Sequence, residues 1–190
     1  MNVYLDTSTT DFVLILFDNH YHVIDYVLLT NQKKKVPLIT TKFEEILYKN
    51  NLTVHSISNF FTNIGPGYFT GVRSSLVYFR TIALALNKDL YVTSSFDILK
   101  IQYPWVSHLY LDAQGSKVYK AHNHSFKKHH LFVNHPNLIK VEQQKQHTNV
   151  LNINFLDMIR NLSKYKNIFV PKKPMKIEAM YIKPPQLGGK

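Results

Sequence analysis

The sequence predicts an α/β protein, a mixed sheet covered by helices, on three observations. Three short apolar segments near the N-terminus are joined by tight polar turns, which makes an antiparallel meander. Strand-like and helix-like segments then alternate up to residue 100. The chain has 190 residues, 45% hydrophobic and 18% charged, a globular composition long enough for one large domain or two small lobes.

Each element has a local reason. Val3–Asp6 is a short apolar strand, followed by the polar turn Thr7–Asp11. Phe12–Phe17 is continuously apolar, as a strand buried on both faces would be. Asp18-Asn19 signals a hairpin, and Tyr21–Leu29 returns as a third strand. Pro37 stands where a helix starts, and over Leu38–Lys49 the residues Ile39, Phe43, Ile46 and Leu47 share one helical face. Asn59–Ile64 is the next strand; a Gly/Pro loop, Gly65–Gly71, opens a helix to Leu86; Leu90–Thr93 is a strand, and Ser94/Ser95 cap a helix through Lys100. The predicted order is βββαβαβα.

Residues 101–190 are less periodic. Leu109–Asp112 and Val118–His122 form a hairpin around Gln114-Gly115, and Leu131–Val133 and Leu138–Val141 are short strands. The apolar spacing predicts a helix over Asn149–Lys164 and a strand at Ile168–Val170 before a Pro/Lys-rich tail. The chain thus divides into a first lobe, 1–100, and a shorter, basic second lobe, 101–190.

With no cysteine, a disulfide framework, a thiolate zinc site and a cysteine nucleophile are excluded. The longest aliphatic-aromatic run, Phe12–Phe17, covers about a third of a bilayer, so no membrane helix is expected. Asp6 within the first apolar stretch and the lack of a basic n-region argue against a secretory signal, which places the chain in the cytoplasm. The net charge is +11, distributed unevenly: residues 1–100 hold nine Lys/Arg against eight Asp/Glu, and residues 101–190 fourteen against four. Such a field attracts phosphate-rich partners; codon bias toward Lys and Asn is the competing explanation, although it would not spare the first half. The densest clusters are Lys127-Lys128 with His129-His130, and Lys172-Lys173 with Lys176.

The stretch Gly65-Pro66-Gly67-Tyr68-Phe69-Thr70-Gly71-Val72-Arg73 is the most informative. A glycine-rich turn before a helix serves either to cradle an anion or to pack the helix tightly on its sheet. It is not a P-loop, because no Gly-Lys-Ser/Thr follows. The histidines form i,i+2 pairs (His20/His22, His122/His124) and one adjacent pair, with no His-x-x-x-His, so no metal site is expected. No Gly-x-Ser-x-Gly elbow occurs either.

The string Gly-Pro-Gly-x-Phe-Thr-Gly-x-Arg resembles the signature of the TsaB (YeaZ) family, accessory proteins of tRNA threonylcarbamoyladenosine synthesis. Tyr4-Leu5-Asp6-Thr7-Ser8-Thr9, Ile82–Leu86, Val92-Thr93-Ser94-Ser95, Asp112-Ala113 with Val118-Tyr119, and Met180–Lys183 are similar to further segments of that family. The chain departs from it at Gln32-Lys33-Lys34-Lys35, where the family carries a His. The resemblance implies two ribonuclease-H-like lobes of the actin-like ATPase (actin, Hsp70, sugar kinase) fold, the second lobe shortened. It implies a non-catalytic scaffold that activates TsaD, with ATP or ADP and a metal on TsaD rather than on this chain. It also implies work alongside a TsaE-like ATPase, tRNA reached through the complex, and a homodimer where TsaD is absent. The expected interface comprises Arg73, Ser74, Val77, Tyr78, Thr81 and Leu84 of the second helix with Ile39 and Phe43 of the first. Asp6, Thr7, Ser8 and Asp112 stand at the turns where the superfamily meets nucleotide phosphates and magnesium; Asp6 serves either there or as a turn-capping carboxylate.

Two rival functions stay open on the residues alone. One is a small phosphotransferase or ATPase using Asp6 and Asp112, which lacks a glycine-rich adenosine segment: Gly188-Gly189 is the only late pair. The other is a basic RNA-binding module, which needs exposed aromatics interleaved with Lys/Arg; Tyr165, Phe126 and Phe132 are its candidates.

Overall fold

The computed structural model describes residues 1–123 and 131–183. Along the chain run β1 (Asn2–Asp6), β2 (Phe12–Phe17), β3 (Val23–Leu29), α1 (Val36–Lys49), β4 (Asn59–Asn63), α2 (Phe69–Ala85), β5 (Asp89–Thr93) and α3 (Ser95–Gln102). The second half contributes β6 (His108–Asp112), β7 (Lys117–His122), β8 (Lys140–Gln143), α4 (Phe155–Arg160) and β9 (Val170–Lys172). The βββαβαβα order of the first half matches the expectation.

A six-stranded mixed sheet, ordered β3-β2-β1-β4-β5-β9, organises the molecule. β1 and β2 pair antiparallel, β1 with β4 and β4 with β5 parallel. Buried strands between two layers show no polar face, and β2 is the clearest case. Phe12, Leu14 and Leu16 point into the layer built with α1 and α2, while Val13, Ile15 and Phe17 point into the opposite core. That opposite core joins α3 and α4 to the inner face of a second, three-stranded antiparallel sheet, β6-β7-β8. Phe61 is its pivot, in ring contact with Phe17 at 5.0 Å, Tyr91 at 4.6 Å and Phe169 at 5.1 Å. The two sheets give a larger and a smaller lobe, consistent with the two-lobe fold.

The chain returns before its end. β9 pairs antiparallel with β5, and Ile177 and Ala179 join the α1/α2 core. The second half therefore supplies the sixth strand of the first sheet.

The structure corrects several expectations in the second half. The helix expected over 149–164 is confined to Phe155–Arg160, followed by a 3-10 helix over Leu162–Ile168. Its first part is extended because its backbone is engaged elsewhere: the Leu151 amide donates to Tyr110 O at 2.8 Å, and Gln102 bonds both the amide and the carbonyl of Asn154. Leu131–Val133 is no strand: the Phe132 and Val133 amides donate to Asp97, and Phe132–Asn134 forms a 3-10 turn. The strand placed at Leu138–Val141 is Lys140–Gln143, preceded by another 3-10 turn, and the strand at Ile168–Val170 is Val170–Lys172. In the first half, β3 starts at Val23 rather than Tyr21, because Tyr21 turns at φ 65° and the Asp18 carboxylate accepts from the amides of His20 and His22.

Candidate functional site

The C-terminal ends of β1 and β4 meet the start of α2. Asp6 closes β1 and is 0% exposed. Its Oδ2 accepts from Tyr4 Oη at 2.6 Å and Asn63 Nδ2 at 3.0 Å, and its Oδ1 from the Ser8 amide at 2.8 Å. Both carboxylate oxygens are thus engaged by protein donors at the turn, the arrangement of a turn-capping carboxylate. The same contact, added to burial, pushes the Tyr4 phenol up from its ordinary pKa, with burial the larger cause.

Thr7 Oγ1 donates to Gly71 O at 2.6 Å, and the Tyr68 amide donates to Ser8 O at 2.7 Å. The glycine loop therefore lies flat on the Asp6–Ser8 turn. A Cβ on Gly71 would stand 1.9 Å from Thr7 O, and one on Gly67 2.4 Å from Ser8 O. These two glycines serve close packing of helix on sheet, the second of the two roles open to the motif. Asn63 joins the pieces: besides Asp6, its Nδ2 lies 3.0 Å from Ser8 Oγ and 2.9 Å from Ser95 Oγ, and its Oδ1 accepts the Gly65 amide at 2.9 Å. Asn63 was not singled out from the sequence; its place at the end of a buried strand, before the Gly-Pro loop, is the signal that could have done so.

Pro66 is buried in the loop, while at the start of α2 Phe69 is half-buried and Thr70 exposed. Phe69 lies between the Tyr181 ring at 5.2 Å and the Arg73 guanidinium at 5.2 Å. The closing segment is tied to this corner: the Met180 amide donates to Ile64 O, and Lys183 Nζ to Ala113 O and Gln114 O, both at 2.9 Å.

Two cavities flank the loop. One of about 370 Å³ lies between the lobes and is lined by Ser8, Gly67, Tyr68 and Asp112 among others. Asp112 Oδ1 accepts the Gln114 amide at 2.8 Å, and Tyr68 Oη stands 3.5 Å from its Oδ2. Of the four turn residues, only Ser8 and Asp112 reach this cleft; Asp6 is sealed below it and Thr7 faces the other side. The second cavity, about 670 Å³, is lined by Thr7, Lys33–Lys35, Tyr68 and the first turns of α1 and α2. Neither helix has a side-chain cap or an acidic residue in its first turn, unlike α3 and α4, capped by Ser94 and Asn154. Lys35 is buried with its ammonium donating to Thr9 O, and burial lowers its pKa.

The α1/α2 layer turns an apolar face outward. Val36 is 52%, Tyr48 87%, Val77 45% and Leu84 43% exposed, and Arg73 and Thr81 are also exposed. Tyr78 is half-buried, edge-on to Phe43 at 5.8 Å, and divides two grooves of about 490 and 580 Å³. Ser74 lines the first, its hydroxyl bonded to Thr70 O at 2.7 Å. Ile39 and Phe43 line the grooves but are each 3% exposed; their burial is spent within this chain's own core, so they support the face rather than present it. α1 does not cover Val77 or Leu84.

Among the described residues no group of His, Asp or Glu could hold a metal ion, and no helix is long and apolar enough to cross a membrane. Tyr165 and Phe132, expected as RNA-facing aromatics, are fully buried. Lys172 lies in β9 with its ammonium on Asn134 Oδ1 at 3.0 Å. His124, Phe126, Lys127-Lys128, His129-His130 and Gly188-Gly189 fall outside the described residues.

The family model described as TsaD, tRNA N6-adenosine threonylcarbamoyltransferase, matches residues 31–175. The protein named tRNA threonylcarbamoyladenosine biosynthesis protein TsaB from Buchnera aphidicola subsp. Baizongia pistaciae (strain Bp) is 34% identical over 64 residues, 34% of this chain and 29% of that protein, so the match spans less than a third of the relative's length. Among solved structures, YeaZ from Pseudomonas aeruginosa superposes with TM-score 0.56 at 17% identity, covering 78% of this chain and 70% of that one. An uncharacterized protein similar to peptidase YEAZ from the same organism gives 0.59 at 17%, covering 80% and 70%. At that identity the structures speak for the fold alone.

Proposed function

This chain belongs to the TsaD family, and from that premise we propose that it stands on the TsaB (YeaZ) side of it, as a non-catalytic accessory protein in tRNA threonylcarbamoyladenosine synthesis, which docks on and activates a TsaD homologue. The observation that carries the reading is the apolar α1/α2 face, where Val36, Tyr48, Val77 and Leu84 stand in solvent beside two grooves. A contiguous exposed apolar patch on a folded chain marks a protein contact. Ser74 and Thr81 are small enough to admit a partner helix, Tyr78 stands between the grooves, and Arg73 sits at the rim. The partner supplies ATP or ADP, the metal and the transfer chemistry; a TsaE-like ATPase and the tRNA join through the complex.

The sealed Asp6 supports this reading over the phosphotransferase, which needs that carboxylate free for a cation.

The test is co-purification with a TsaD homologue and a transfer assay with and without this chain. Val77→Asp or Leu84→Asp places an unpaired carboxylate in the contact, at a cost of about 3 kcal/mol or more to the complex. The variant stays folded, because both positions are exposed, yet loses the partner and the stimulation. Normal binding by both variants would move the interface elsewhere; a homodimer through the same face would appear as a size shift that both variants abolish. Steady ATP turnover by the chain alone, lost in Asp112→Asn, would restore the phosphotransferase.

A further inference from the structure

Resting on the docking reading, we propose that the lysine-lined cavity at the start of α1 and α2 receives an acidic segment of that partner. The cavity, about 670 Å³, is lined by Lys33, Lys34 and Lys35 and, among the described residues, by no Asp or Glu. Lys35 is already engaged: its ammonium donates to Thr9 O, and Asp6 and Asp11 lie within electrostatic reach. Lys33 and Lys34 are exposed, and among the described residues no carboxylate pairs with either. Two uncompensated ammonium groups therefore stand in the cavity wall.

The cavity is continuous with the apolar face. Val36 and Ser74 line both the cavity and the first groove. The exposed Arg73 lines that groove too, its guanidinium over the Phe69 ring of the cavity wall. The second groove, by contrast, carries Glu44 and, among the described residues, no Lys or Arg. The first groove holds the first half of each helix and the second groove the later half, so α1 and α2 run in the same direction. The positive ends of both helix dipoles then fall at the lysine end. The face is positive at one end, apolar in the middle and negative at the other.

The occupant follows from that order. An apolar groove that runs into a cationic cavity fits a polypeptide whose apolar side chains fill the groove while its Asp or Glu side chains reach the lysines. A free phosphate would use the cavity alone and leave the groove uncovered, and an RNA strand laid along the face would meet Glu44. Ion pairs at an exposed rim contribute little affinity each, so these charges act mainly on the rate of encounter and on the direction in which the partner lies.

The test is the affinity for a TsaD homologue as a function of salt. Lys33→Gln with Lys34→Gln should weaken the complex about tenfold at low salt, chiefly through slower association. The difference should close at about 1 M salt, where the screening length is about 3 Å. Lys164→Gln with Lys166→Gln removes the same charge from the 3-10 helix of the opposite core and should change the affinity by less than about twofold. All four side chains are exposed, so both double variants keep the wild-type melting temperature. Unchanged affinity in the first pair, an equal loss in the second, or a loss that persists at about 1 M salt overturns the acidic segment and leaves the complex standing. Binding of inorganic phosphate or tRNA by the chain alone, lost in the first pair while the complex keeps its affinity, gives the cavity to a phosphate and overturns it as well. A wild-type chain that binds no TsaD homologue at any salt removes the docking reading itself, and the acidic segment with it.

Discussion

In β1 and β2 every side chain is buried, on both faces of the sheet, whereas β6 buries only Leu109 and Leu111 and leaves His108, Tyr110 and Asp112 half-buried. The larger lobe is a sandwich with the sheet in the middle; the smaller one is a three-stranded sheet that packs its apolar face on the shared core. The difference extends to what fixes each region. The first is set by apolar periodicity and by backbone stacked on backbone at Gly67 and Gly71. The second is fixed by polar side chains reaching across long stretches of chain: Asp97 to residues 132 and 133, Gln102 to 154, Asn123 to 103 and 106.

That contrast is breakable at specific atoms. Gly71→Ala should have the largest effect. Helix propensity alone favours alanine by about 1 kcal/mol, but the new Cβ would stand 1.9 Å from Thr7 O, and a backbone clash of that kind costs about 4 kcal/mol or prevents folding. A urea midpoint higher than wild type would show that the turn and helix can part freely.

Next in size is Asp97→Ala. Asp97 is 1% exposed and accepts from Ser94 Oγ and the amides of Phe132 and Val133. Removing it leaves two buried amides unpaired, at about 3 kcal/mol. Burial raises the Asp97 pKa above its ordinary 3.8. The folded state therefore holds its proton more tightly than the unfolded one, and the stability due to this proton is full below 3.8 and lost as pH rises through the raised native value. The stability gap between wild type and Asp97→Asn should accordingly narrow between acid and neutral pH. A gap that widens would reverse the sign.

Tyr165→Phe tests the second region alone. The hydroxyl donates to Asp157 Oδ2 at 2.6 Å and accepts from Gln102 Nε2 at 3.0 Å, and burial with that carboxylate drives the phenol pKa far upward. Its loss should cost about 1.5 kcal/mol, read as a lower melting temperature with the α1/α2 face and partner binding unchanged. The smallest effect belongs to Asn154→Ala, which removes the side-chain cap on Asp157 N and should cost about 1 kcal/mol, a shift of roughly 2–4 °C.

The difference between the halves also explains which elements were legible. α1 was read with its four buried residues, Ile39, Phe43, Ile46 and Leu47, because a helix on a sheet must bury one face, and that requirement is written in the spacing. The Asn149–Lys164 segment carries the same spacing, yet only Phe155–Arg160 is α-helical: the Leu151 amide donates to Tyr110 O, and Gln102 binds the amide and carbonyl of Asn154, so these backbone groups are taken from a longer helix. Of the candidate site, the Gly-Pro-Gly loop and the exposed Val77 and Leu84 were visible in the sequence. Asn63 and Lys35 were not, since each depends on which residues lie opposite in space.

The sequence by itself determined the five strands of the first half, the two helices that cover them and the glycine-rich junction, because strand burial, helical period and glycine turns are local properties that neighbouring residues dictate. Only the tertiary structure decided that Gly67 and Gly71 press on Thr7 and Ser8, that Asp6 is spent on protein donors, that β9 closes the first sheet, and that Asp97 anchors the 132–133 backbone. These outcomes depend on strand register and on hydrogen bonds between residues tens of positions apart, and no local pattern encodes a register.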